Sequence, residues 1–144
     1  MNFNNHFKYL PKIGTAIYYL VFVFGMLFLF FGRNLEQLKI SLLETNFTNF
    51  YNHISNLTLT AILFSTIGYI WLLMGVKLKP LLLLGVFFIV INGVIETWVS
   101  VLNTPDQLDL VYGIAGVLFG LVFILSITYL KGLTVNPNFI SKTD

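Results

Sequence analysis

Glu96 is the residue of this chain that most needs a chemical explanation. It sits in VINGVIETWVSVLNTPDQLD (90–109), a stretch with no other charge before Asp106. Asn92 stands one helical turn before it and Ser100 one turn after, with Asn103 on nearly the same stripe. That spacing puts an acid, an amide and a hydroxyl on one helix face. Such a face can hold a cation, an amine or a proton. It can also make a plain interhelical hydrogen bond, but a carboxyl in an apolar helix favours the functional reading. Asp109 and Tyr112 follow shortly after. Ser65 and Tyr69 lie in an earlier apolar run, at helical spacing with Thr58. These residues are expected to line one outward-facing pocket. Glu96 would form its floor, Asn92, Ser100, Ser65 and Tyr69 its walls, and Asp109, Tyr112 and His53 its rim. For Asp109 and Asp106 a simpler reading competes, since acids in the first turn of a helix oppose its dipole favourably.

Metal and cofactor chemistry are not expected. The chain has no Cys, and its two His are His6, ahead of the first apolar run, and His53, read as an exposed loop residue. Serine-hydrolase, zinc-protease and phosphate-loop signatures are all missing, so no catalytic residue is assigned.

The surroundings of Glu96 follow from composition. Of the 144 residues, 57% are hydrophobic and 10% charged, and Phe alone contributes 15. A soluble fold of this length would be left with a large apolar exterior. Lipid is therefore the expected solvent. The net charge of +2 is too small and too scattered for nucleic-acid binding. Spanning a bilayer as a helix takes about 20 apolar residues. Runs at about 13–31, 57–76, 80–102 and 108–130 meet this, giving an all-α, four-helix integral membrane bundle in a single domain over 1–144. The first run is read as a retained helix, because it exceeds a signal core and no small-residue cleavage site follows it.

Basic residues set the expected orientation. Lys8, Lys12, Lys77, Lys79, Lys131 and Lys142 share one side of a four-span chain, against Arg33 and Lys39 on the other. Both termini are thus expected in the cytoplasm. The third helix then runs outward, and Glu96 falls about 7–8 Å beyond its midpoint at 1.5 Å per residue. No basic residue is placed to pair with it, so a protonated or water-contacting carboxyl is expected. The outer segment, about 34–54, has Leu35, Leu38 and Leu42 at helical spacing. It reads either as an amphipathic helix lying on the outer leaflet or as a two-turn extension followed by a loop. Asn46–Phe47–Thr48 and Asn56–Leu57–Thr58 match the glycosylation triplet, but the Asn-, Phe-, Ile- and Lys-rich composition suits a bacterium.

Gly113, Gly116 and Gly120 form a small-residue strip on the fourth helix, which lets a neighbouring backbone approach. Gly25 and Gly32 bracket GMLFLFFG at the end of the first run and are also read as packing residues. This motif, with a helix, a longer outer segment and three closely connected helices, resembles the DoxX-like class of small bacterial membrane proteins. The resemblance implies a four-helix bundle in the bacterial inner membrane and carries no reaction with it. A VanZ-like pattern is not met, because its Gln, Arg and Asn positions hold other residues.

Two functions are expected on these grounds. The first is a subunit or accessory protein packing against another membrane protein or a second copy. The alternative is binding or transport of a small cationic or lipid-like solute above Glu96. A lipid-modifying enzyme is least supported, for want of a second catalytic group.

Overall fold

The computed structural model of the chain describes residues 7–47, 49–98 and 106–139. Four of its helices are long and apolar enough to cross a membrane, as an integral membrane protein requires. In chain order the elements are strand β1 (Tyr9–Pro11), helix α1 (Ile13–Phe31), a 3-10 turn (Glu36–Leu38), helices α2 (Ser41–Asn46), α3 (Phe50–Leu73), α4 (Leu78–Trp98) and α5 (Gln107–Tyr129), and strand β2 (Leu133–Val135).

The core is the α3/α5 pair. In their spanning windows 44% and 39% of residues are buried, against 11% in α1 and in α4. The glycine strip of α5 explains the close approach. A Cβ at Gly116 would collide with the Leu57 carbonyl and come within 3.0 Å of Thr60 Cβ, and one at Gly120 would sit 2.6 Å from the Phe64 ring. Both clashes are with α3 of the same chain. Helix α1 lies against this pair through stacked rings, with Phe22 on Phe123 at 4.6 Å and Tyr19 on Tyr69 at 4.8 Å. Helix α4 packs on both α3 and α5, its Gly85 facing Phe64 and Val117. Gly32 is tightly packed against Tyr51, but Gly25 is not a packing glycine within the chain. It is exposed on α1, and a Cβ there would meet nothing within 4 Å.

Helix α3 begins at Phe50, seven residues before the apolar run that announced it at Leu57. Asn49 starts it from the left-handed region, at φ 60° and ψ 23°, which Asn tolerates better than most residues. Phe50, Ile54, Leu57, Ala61 and Phe64 are all buried and continue one helical stripe. The interleaved Asn52, His53, Ser55 and Asn56 lower the local hydropathy and hide that stripe. The outer segment is correspondingly shorter than 34–54 and is not one helix. Ile40 is extended between the 3-10 turn and α2, and Leu35 and Leu42 are exposed. Tyr51 draws the segment over the start of α3: its hydroxyl accepts a 2.7 Å hydrogen bond from the Ile40 amide. Arg33 adds a 2.8 Å bond to Ser55 Oγ.

Both described ends of the chain meet on the opposite face of the bundle. Strands β1 and β2 pair antiparallel, Tyr9 opposite Val135. Asn136 extends the clamp, donating from its amide to Lys8 O at 2.9 Å and from its side chain to Phe7 O at 2.8 Å. Three-residue strands carry too little pattern to be read from sequence.

Candidate functional site

The site lies at the end of the bundle where α3 and α5 begin and α4 approaches its close. Helix α3 supplies His53, Asn56 and Thr60. At 100° per residue these fall within about 60° of one another on its surface. Helix α4 supplies Asn92 and Glu96, one turn apart. The two helices run antiparallel, so the residues meet in register. Asn92 Nδ2 donates to Thr60 Oγ1 and Asn56 Nδ2 to Glu96 Oε1, both at 3.3 Å. Asn92 also donates to the Phe88 carbonyl in its own helix at 2.9 Å.

Helix α5 supplies the acids. Asp109, Gly113, Gly116 and Gly120 form one stripe, so the glycines that bring α5 against α3 also carry Asp109 to His53. His53 Nδ1 lies 2.8 Å from Asp109 Oδ1 and 3.7 Å from Asp106 Oδ2. Asp106 caps the helix as well, its Oδ1 accepting from the Leu108 amide at 2.8 Å. Tyr112 flanks the imidazole, with ring centroids 5.5 Å apart. Beyond Tyr112 and Phe50, between α1, α2, α3 and α5, opens an apolar cavity of about 420 Å³.

His53 is therefore not an exposed loop residue. It is 7% exposed, in the first turn of α3. With its partner 56 residues away, a lone histidine in a polar stretch gave no local sign of this role. Asp109 does more than oppose a helix dipole, since it is buried against that histidine. Asn56, in the second glycosylation triplet, is half-buried and bonded to Glu96.

Glu96 is 7% exposed, and its Oε2 is buried with no hydrogen-bond partner among the described residues. The carboxyl lies within electrostatic reach of Asp109 and Asp106, with the Asp106 backbone amide beside it. Glu96 lies two residues before the end of the described part of α4, Leu78–Trp98.

Ser65 and Tyr69 do not join this site. They fall about 180° and 220° around α3 from Asn56, and lie about 13 Å and 20 Å farther down its axis. Ser65 bonds the Ile62 carbonyl at 3.1 Å. Tyr69 stacks on Tyr19 in the aromatic layer below, its hydroxyl buried without a hydrogen-bond partner among the described residues. Ser100 and Asn103 lie outside the described residues.

Compared with models of known protein families, with curated proteins and with solved structures, the chain matches none. The chemistry must be read from the site itself. Three carboxyl groups, one imidazole and two amides converge at one end of an apolar bundle. The two basic residues of that end are engaged elsewhere, Arg33 with Ser55 and Lys39 with Glu36. Carboxylates gathered in a low-dielectric site repel one another, and a cation among them relieves this.

Proposed function

We propose that the chain is a small polytopic membrane protein that binds a small cationic solute at the polar end formed by His53, Glu96, Asp106 and Asp109. The observation carrying this reading is Glu96 Oε2, buried without a hydrogen-bond partner among the described residues and within electrostatic reach of two further acids. A buried carboxyl oxygen without a donor costs stability unless something fills its place. The membrane proposed is a bacterial inner membrane. The six-to-two distribution of basic residues supports cytoplasmic termini, with the site facing outward.

The subunit reading has lost part of its support. Gly113, Gly116 and Gly120 are occupied by Asn92 and by α3 of the same chain rather than awaiting a partner. What still favours it is the apolar surface of α1 and α4. Val21, Phe24, Leu83, Val86, Phe87 and Val90 are all more than half exposed, and either lipid or another membrane protein would cover them.

Native mass spectrometry of the chain gently extracted from its own membrane separates the two. The cation-binding reading expects the chain alone or with copies of itself, carrying a bound mass that Glu96→Gln loses. Reproducible co-purification with a different protein, and no bound mass, would replace it with the subunit reading.

A further inference from the structure

We infer that the cation is a divalent first-row transition-metal ion, held by His53 Nδ1 and the carboxylates of Asp106 and Asp109, with the charge of the neighbouring Glu96 carboxyl adding to the site. This rests on the cation-binding reading and names the chemical class of its ligand.

Three observations carry it. First, one ligand atom each from His53, Asp106 and Asp109 lies within 4.8 Å of the others. Ligands about 2.1 Å from a common ion stand about 3.0–3.4 Å apart, from right-angled to tetrahedral geometry. The imidazole-to-carboxylate spacings of 2.8 Å and 3.7 Å bracket that range. Small side-chain rotations would open room for an ion. Secondly, the positions are fixed before any ion arrives. The glycine strip of α5 holds Asp109 against α3, the N-cap bond holds Asp106, and Asn56 holds one oxygen of Glu96. Thirdly, the other oxygen of Glu96 is left over. It is buried, it has no hydrogen-bond partner among the described residues, and it belongs to a residue 7% exposed.

Ligand type decides the class of ion. Carboxylates alone would suit magnesium or calcium, whereas an imidazole nitrogen selects for the later first-row metals. Without a cysteine there is no thiolate to favour copper(I) or an iron–sulfur cluster. An organic ammonium would gain from the charge but make no use of the imidazole lone pair.

The test uses the untagged chain in detergent, stripped with chelator and dialysed against nickel or zinc, with the bound metal measured by mass spectrometry. One ion per chain is expected, undiminished by millimolar magnesium. Glu96→Gln and Asp106→Asn should each weaken binding roughly tenfold or more. Both keep the side-chain shape, and Asn preserves the N-cap. Cobalt serves as a second probe, whose visible spectrum should lose its nitrogen-ligand signature in His53→Ala. Absence of binding, or binding unchanged in both carboxamide variants, would overturn the proposal. If tetramethylammonium or a primary amine protects the chain from thermal unfolding and the metals do not, the metal assignment falls and the cation-binding reading stands. Should neither class of cation protect, both fall together.

Discussion

His53 Nδ1 and Asp109 Oδ1 lie 2.8 Å apart across 56 residues of sequence, and this contact ties the starts of α3 and α5 together. It forms because glycines follow Asp109 at every turn of the same face, leaving α5 nothing bulky to hold it off α3. Packing and chemistry thus share one stripe. Replacing either partner removes a buried polar contact of the other. A double-mutant cycle with His53→Ala and Asp109→Ala should therefore return a coupling of about 1–3 kcal/mol. Unfolding of the detergent-solubilised protein measures it, and strict additivity would mean the contact contributes nothing.

The glycines should differ sharply in tolerance. Gly116→Ala puts a methyl into the Leu57 carbonyl, a backbone atom that cannot rotate away. A loss of about 1–3 kcal/mol is expected, as for overpacking in a close-packed interior. Gly25→Ala meets only open space and should be neutral, or stabilising by up to about 1 kcal/mol through helix propensity. Comparison of the two melting curves checks both expectations.

Tyr51 holds the segment between α1 and α3 in place. Tyr51→Phe removes the acceptor for the Ile40 amide while keeping the ring against Gly32. The expected cost is about 0.5–1.5 kcal/mol. Hydrogen exchange should quicken at Ile40 and through α2 and remain unchanged in α5.

The strand pair makes a prediction that the absence of cysteine renders easy to test. Tyr9 and Val135 are directly opposed in the antiparallel ladder, at Cα separations of about 4.5–5.5 Å for such pairs. Those distances suit a disulfide. Tyr9→Cys with Val135→Cys should cross-link on mild oxidation of purified membranes. Tyr9→Cys with Phe47→Cys, at opposite ends of the bundle, should not.

Much of this fold was legible, because hydropathy reads membrane helices directly. Helix α1 ran over Ile13–Phe31 as expected, bounded by Lys12 and by Gly32–Arg33. The site was legible only where its logic is local. Asn92 and Glu96 stood out as a polar seam one turn apart, and that seam does face the bundle. What escaped was the α3 side of it. His53 and Asn56 lie in a stretch whose polarity looked like a loop, and only the buried stripe from Phe50 to Phe64 shows it to be helix. Ser65 and Tyr69 were drawn in by spacing on the wrong face, since nothing in their own helix says which stripe meets α4. Such choices depend on contacts between distant segments, which periodicity within one helix does not encode.

The most direct test of the central claim is thermal unfolding of the chain across a rising concentration of manganese, zinc and a small organic ammonium, for wild type and Glu96→Gln. A ligand that binds only the folded state stabilises it by about 2.7 kcal/mol at one hundred times its Kd. A cation-binding site predicts that at least one of these cations raises the wild-type midpoint steadily with concentration. The Gln variant, which keeps the amide contact to Asn56 and loses the charge, should fold normally and show little or no rise. Equal responses in the two proteins, or no response to any of the cations, would contradict the account.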